Sequence, residues 1–403
     1  MGGGRSVWGM KKMMRAAAAA LLACAVALPA AATATAADVS SGASGAVRDQ
    51  EGERLRMPAP TGAYGVGSSV LYLVDRSRTD PWVPTAGGRE LMVTMHYPAA
   101  RAAGRPVPYA TRDEVRLLLD DVPVDDPALK RDVARIRTYS AVDARPAPGR
   151  HPLVVLSPGF GMGRYTLTSL AEDLASRGYV VASIDHAYES AGTSVPDGRA
   201  LTCVACTVME ENGWSKGSLV TGTRADDTRF VLDRLTGPRP AWKYASSIDA
   251  RRIGMAGHSI GGASAVPAMA ADRRIDAGVN MDGTFWDSLP AGGLGGRPFL
   301  MLGTGEFHRP GGEDTSWDAT WKGVGGEDSY WLTVDGADHL GFSDAPVLLR
   351  HLGLPYGDLA ADRAVAVTRA YVGAFFDEHL RDREQPLLDG PDPAHPEVRF
   401  HRP

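Results

Sequence analysis

Cysteine is scarce in this chain: three in 403 residues, at Cys24, Cys203 and Cys206. A structural zinc site of the paired-cysteine kind needs a second pair, and none exists. Long apolar stretches are also missing. A membrane-crossing helix needs about 20 apolar residues, whereas the uninterrupted run Ala16–Leu28 stops at 13. Positive charge is not in excess: the formal charge is −5, so there is no broad basic field of the kind nucleic acid requires. Neither G-x-x-x-x-G-K-[ST] nor G-x-G-x-x-G occurs, which excludes the common phosphate-cradling loops. Lysine is rare, six against 37 arginines, a skew that with abundant Ala and Gly fits a GC-rich genome rather than a function. What remains is 44% hydrophobic and 23% charged, the balance of a folded chain able to bury a large core without staples.

The first residues read as an address. Arg5, Lys11, Lys12 and Arg15 precede the apolar run, and Ala34-Thr35-Ala36 is an A-x-A cleavage site, so residues 1–36 form a signal peptide and the mature chain starts near Ala37. Removing it takes away four basic and no acidic residues, moving the formal charge from −5 to −9. Leu21-Leu22-Ala23-Cys24 is a poor lipobox, which argues against anchoring at Cys24. A secreted product follows, and in an oxidising compartment Cys203 and Cys206 are expected to form a local disulfide. Residues 37–57, rich in Ser, Ala, Gly and charge, read as a flexible leader.

From residue 58 the patterning predicts an α/β fold. Strand-like runs lie at 69–75, 91–97, 152–156, 179–184, 252–256, 277–281, 298–302 and 330–334, with helical patterns at 166–176, 224–235, 262–271 and 362–381. Alternation of buried strands and helices predicts a mostly parallel central sheet with helices on both faces. Thr111-x-x-Glu114 resembles a capping box, and 127–137 reads as a second short helix. No linker splits the pattern, so 58–403 reads as a single domain with insertions near 101–150 and 187–222.

G-x-S-x-G occurs twice, around Ser259 and around Ser215. An exposed nucleophile needs a strand, a sharp turn and a helix, with small residues where the turn crowds itself. Ser259 follows the run 252–256 and precedes Gly262-Ala263-Ser264-Ala265; Ser215 follows no strand and precedes no clear helix, so Ser259 is the candidate. A serine needs a base, and the base an acid. His339, in a loop just past 330–334, is the candidate base, with His308 its rival. Asp282 and Glu306 both follow later strands, and the pattern alone leaves the acid open between them. The backbone N–H groups of Phe160, in Ser157-Pro158-Gly159-Phe160-Gly161, and of Ile260 are the candidate oxyanion donors. His186, ending the run 179–184, reads as structural or as a supporting group.

These residues resemble the platelet-activating factor acetylhydrolases of the plasma and type II kind, and more closely their secreted bacterial relatives. The likeness rests on Ser157-Pro158-Gly159-Phe160-Gly161, Gly257-His258-Ser259-Ile260-Gly261-Gly262, Asp282-Gly283-Thr284 and His339, with Asp80-Pro81-Trp82, Arg89-Glu90-Leu91, Tyr97-Pro98 and Pro196-Asp197-Gly198-Arg199, and spans roughly 60–385. The resemblance implies an α/β-hydrolase fold, Asp282 as the acid, and hydrolysis without calcium, metal or organic cofactor. It implies a small or lipid ester substrate, such as 1-alkyl-2-acetylglycerophosphocholine, with transient contact to a lipid surface. Pro158 departs from the family's usual His at that place. A broader lipase, cutinase-like or polyester hydrolase uses the same constellation, and a non-catalytic binding member is the remaining alternative.

Overall fold

The computed structural model describes residues 56–402 except 102, 103, 121, 125 and 306. The expected signal peptide, Cys24, the expected cleavage site at Ala36 and most of the expected 37–57 leader lie outside the described residues, as does Glu306. In chain order the strands are β1 (Gly65–Asp75), β2 (Arg89–Ala99), β3 (Pro106–Pro108), β4 (Arg137–Val142), β5 (His151–Ser157), β6 (Val180–His186), β7 (Thr193–Ser194), β8 (Ala200–Leu201), β9 (Ile248–His258), β10 (Ile275–Met281), β11 (Phe299–Thr304), β12 (Tyr330–Val334) and β13 (Val398–His401). Helices α1 (Arg112–Leu118) and α2 (Pro127–Val133) precede β4, and α3 (Thr168–Arg177) lies between β5 and β6. Then come α4 (Val204–Asn212), α5 (Gly217–Thr236), α6 (Ile260–Ala263), α7 (Ala265–Ala271), α8 (Thr315–Val324), α9 (Ala345–His351) and α10 (Ala361–Arg381).

Eleven strands join in one sheet, ordered β13-β12-β11-β10-β9-β5-β6-β2-β1-β4-β3. From β6 to β12 every neighbouring pair is parallel, and β2 and β13 add antiparallel strands at the two sides of that block. This is the α/β-hydrolase fold. β5 is buried along its whole length, as a central parallel strand covered on both faces must be. Its side chains alternate between two cores: Leu153 and Val155 join one, Val154 and Leu156 the other. The first core packs under α5, α7 and α8, and the second under α3 and α10.

Several sequence expectations are corrected. The helix expected over 262–271 is two pieces, because the chain turns at Ser264, whose hydroxyl bonds back to the Ile260 carbonyl. The second short helix ends at Val133, and the chain re-enters the sheet as β4 from Arg137. A long helix, α5, does follow Ser215, starting at Gly217; its apolar positions are sparse at that end, which hid its first turns. The capping box forms as expected, with Thr111 and Glu114 bonding reciprocally.

Candidate active site

The carboxyl ends of β5, β9, β10, β11 and β12 meet along one edge, and the loops leaving them build the site. Ser259 stands between β9 and α6 with φ 56° and ψ −131°, a strained geometry that lifts its side chain off the sheet. The turn is only possible with glycine beside it. A Cβ on Gly257 would lie 2.2 Å from the Gly261 carbonyl carbon, and one on Gly261 would lie 2.1 Å from the Ser157 oxygen.

His339 comes from the loop after β12. Its Nε2 lies 2.9 Å from Ser259 Oγ, and its Nδ1 lies 2.7 Å from Asp282 Oδ2. Asp282 itself sits at φ 60° just past β10, fully buried, while the His339 side chain is one-third open to solvent. The other carboxylate oxygen of Asp282 accepts from the Thr304 N–H at 2.6 Å and faces His308 Nδ1 at 2.6 Å. Burial alone would raise the Asp282 carboxyl, but His308 and His339 together hold it well below the usual carboxylate range. For His308 burial works against charge, yet Asp282 and Asp314 outweigh it and lift the ring to about 9. His308 does not face Ser259; it stands behind Asp282, on the oxygen turned away from His339. His258, inside the G-x-S-x-G pattern, donates from Nε2 to the His339 carbonyl at 2.7 Å, and burial followed by the nearby His339 pushes it down to about 3. Nothing in the sequence pattern singles out His258 for that task.

The loop after β5 carries Pro158, Gly159 and Phe160 past Ser259. Phe160 and Ile260 both line the cleft, and among the described residues no acceptor takes either backbone N–H. The loop is held from below. Gly161 N–H donates to the Glu189 carbonyl at 2.9 Å, and Arg224 Nη1 donates to the Pro158 carbonyl at 2.5 Å. Arg224 pairs with Glu189, which pairs with Arg89, which reaches Asp80 and Asp227. His186 belongs to this buried cluster: its Nε2 meets Ser157 Oγ at 2.9 Å and its Nδ1 meets Asp227 Oδ2 at 2.8 Å. That is a second serine–histidine–aspartate chain, but Ser157 and Asp227 are sealed from solvent and Arg224 occupies the serine, so it serves as scaffold. Ser215 is exposed, and its hydroxyl donates to the Asn212 carbonyl at 2.9 Å within its own turn.

One wall of the cleft is aromatic. Trp214 and Trp286 stack at 5.3 Å and 18°, and Phe160 meets Trp214 edge-on at 5.3 Å. Gly217, opening α5, lets Trp286 pack directly on the helix start. Cys203 and Cys206 are joined by a disulfide at the start of α4, behind this wall. Met162 and Leu340 complete a cleft of about 190 Å³ above Ser259.

Comparison with known proteins bears on this geometry. A family profile described as platelet-activating factor acetylhydrolase, isoform II, matches residues 133–200. A protein named "Probable 1-alkyl-2-acetylglycerophosphocholine esterase" from Arthroderma benhamiae is 29% identical over 391 residues, 85% of this chain and 93% of that one. A solved structure of a ferulic acid esterase from Streptomyces cinnamoneus is 45% identical, with a TM-score of 0.76, covering 87% of this chain and all of that one. The chain is similar in sequence to the platelet-activating factor acetylhydrolases. It is a carboxylic-ester hydrolase. The acetylhydrolase of Bos taurus is more distant, 22% identical over 60% of this chain and 61% of its own. Among the described residues, no helix is long and apolar enough to cross a membrane.

Proposed function

We propose that residues 58–403 act as one secreted serine esterase, exported through the 1–36 leader, in which Ser259 is the nucleophile, His339 the base and Asp282 the acid. The observation that carries this is the unbroken chain from Ser259 Oγ through the His339 ring to Asp282 Oδ2, at 2.9 and 2.7 Å. Asp282 fixes the tautomer with Nδ1–H, which leaves Nε2 free to take the serine proton. Ser259 Oγ attacks the ester carbonyl as its proton passes to His339. The Phe160 and Ile260 N–H groups receive the oxyanion. The His339 proton then goes to the departing alkoxide, giving the alcohol and an acyl-serine. A water molecule, deprotonated by His339, releases the acid and restores the serine.

The acyl half of the substrate faces Phe160, Trp214 and Trp286. A flat, stacked wall favours a planar acyl group, and the solved relative is named a ferulic acid esterase. An aromatic-acyl ester is therefore the preferred substrate class. The second reading is a 2-acetyl phospholipid-like ester, favoured by the Arthroderma relative's name and length match. Leu219, an exposed apolar side chain in the first turn of α5, is a point for contact with a lipid surface in that case.

The experiment compares methyl ferulate, a 2-acetyl phospholipid and p-nitrophenyl esters from acetate to palmitate on the wild type and Ser259→Ala. Loss of at least about 10³-fold in kcat with Ser259→Ala, and of labelling by a fluorophosphonate probe, is expected. Ferulate turned over above all other esters supports the aromatic reading, acetyl phospholipid the second, and a rise with acyl length a lipase. A Ser259→Ala enzyme of wild-type activity refutes the assignment.

A further inference from the structure

His308 takes no part in the proton path described above, yet its surroundings are more specific than a packing role requires. Both ring nitrogens face carboxylates: Nδ1 lies 2.6 Å from Asp282 Oδ1 and Nε2 lies 3.2 Å from Asp314 Oδ2. A neutral imidazole carries one N–H and would leave one carboxylate facing a lone pair, so the arrangement calls for the imidazolium with both nitrogens protonated. The ring is clamped flat on Trp317, with centroids 4.2 Å apart and planes 18° from parallel. Its own carbonyl accepts from Trp331 Nε1 at 2.6 Å, and only 3% of the residue is exposed. Asp314 is fixed in turn, capping α8 through the Ser316 N–H.

The geometry points to His308 as a positioning residue for the reaction: a standing cation behind Asp282 that fixes the carboxylate plane and limits how strongly Asp282 holds a proton on His339. This rests on the reading of Ser259, His339 and Asp282 as the catalytic groups. Asp282 is shared between two imidazoles, one on each oxygen. With His308 and the Thr304 N–H on Oδ1, the carboxylate cannot rotate, and Oδ2 stays aimed at His339. The His308 charge also opposes a second positive charge on His339. By offsetting part of the Asp282 charge, it weakens the attraction that holds a positive His339 in place once the serine proton has moved. The groups facing the His308 ring are Asp282 from the end of β10 and Asp314 before α8, with the neutral ring of Trp317 stacked on its face and Trp331 Nε1 on its backbone carbonyl. Those facing His339 are Asp282, His258, Asp338 from its own loop and, through Asp338 and Asp282, Tyr356.

The test is the pH profile of kcat and kcat/KM for His308→Gln, beside wild type and Ser259→Ala. His308→Gln keeps a donor toward Asp282 and loses the charge. Its acid limb is expected to move up by about one pH unit, with kcat down roughly ten- to hundred-fold and KM little changed. A merely structural histidine would change thermal stability and leave the limb in place. Because His308→Gln replaces a buried ion, Asp314→Asn serves as the second variant, since Asn also caps helices well. It removes the outer carboxylate, and the His308 side-chain resonances should then show one ring proton at pH 8, where the wild type shows two. An unmoved acid limb and unchanged kcat in His308→Gln, or a single His308 ring proton in the wild type at pH 7, overturns the inference. Ser259→Ala separates the two failures: if it abolishes turnover while His308→Gln behaves as wild type, only the role of His308 falls.

Discussion

Individual side chains here are held by charge as much as by packing. Arg89 is the extreme case. It is wholly buried and donates to Asp80, Glu189, Asp227 and the Ala187 carbonyl. Burial opposes its charge, but Asp227 and Glu189 more than compensate and raise it further above its ordinary value. Arg89→Met keeps much of the volume and takes the shared cation from three buried carboxylates. It should cost about 3–5 kcal/mol, read as a lower urea midpoint, whereas a truncation at the exposed Arg116 should leave the midpoint unchanged. At this scale the sequence was partly readable. Ser259, His339 and the pair Asp282 and Glu306 could be named because strand ends, chain order and residue type point to them. His258 and His308 could not, since their tasks depend on contacts across 81 and 26 residues, and no local pattern encodes those. Arg224 and Glu189 were equally hidden, being ordinary charged residues until the fold brings them under the Phe160 loop.

Elements set the turn at Ser259. β9 ends and α6 begins with no linking residue other than the serine, and the backbone of β5 crosses directly above Gly261. Gly261→Ala would drive a methyl group into the Ser157 carbonyl at a place with no flexible neighbour to yield. The expected outcome is a loss of several kcal/mol of stability with activity lost alongside, checked by calorimetry and ester turnover on the same preparation. Strand positions were legible to within a few residues where the strands are central, because both faces are buried and the apolar run is continuous. β12, read at 330–334, matches its observed ends. The edges were not legible. β3 and β4 lie in the long connection after β2, and β13 comes from a Pro-rich tail. An edge strand needs only half the apolar content of a central one, so its signal falls to the level of a loop.

Across the whole molecule, the buried ionic groups make stability depend on pH. His308 is raised in the folded chain, so its contribution is complete below its ordinary value near 6.5 and fades as pH rises through about 9. Thermal melts of wild type and His308→Gln should therefore differ most at pH 6 and converge above pH 9. A constant difference over that range would mean the ring carries no extra proton in the folded state. The face-to-face contact of this ring with Trp317 has a further consequence, an optical one. A protonated imidazole resting on an indole drains its excited state, so Trp317 should be dim while His308 is charged and brighten as it neutralises. The protein thus contains its own pH indicator, set beside Asp282 and visible without any substrate.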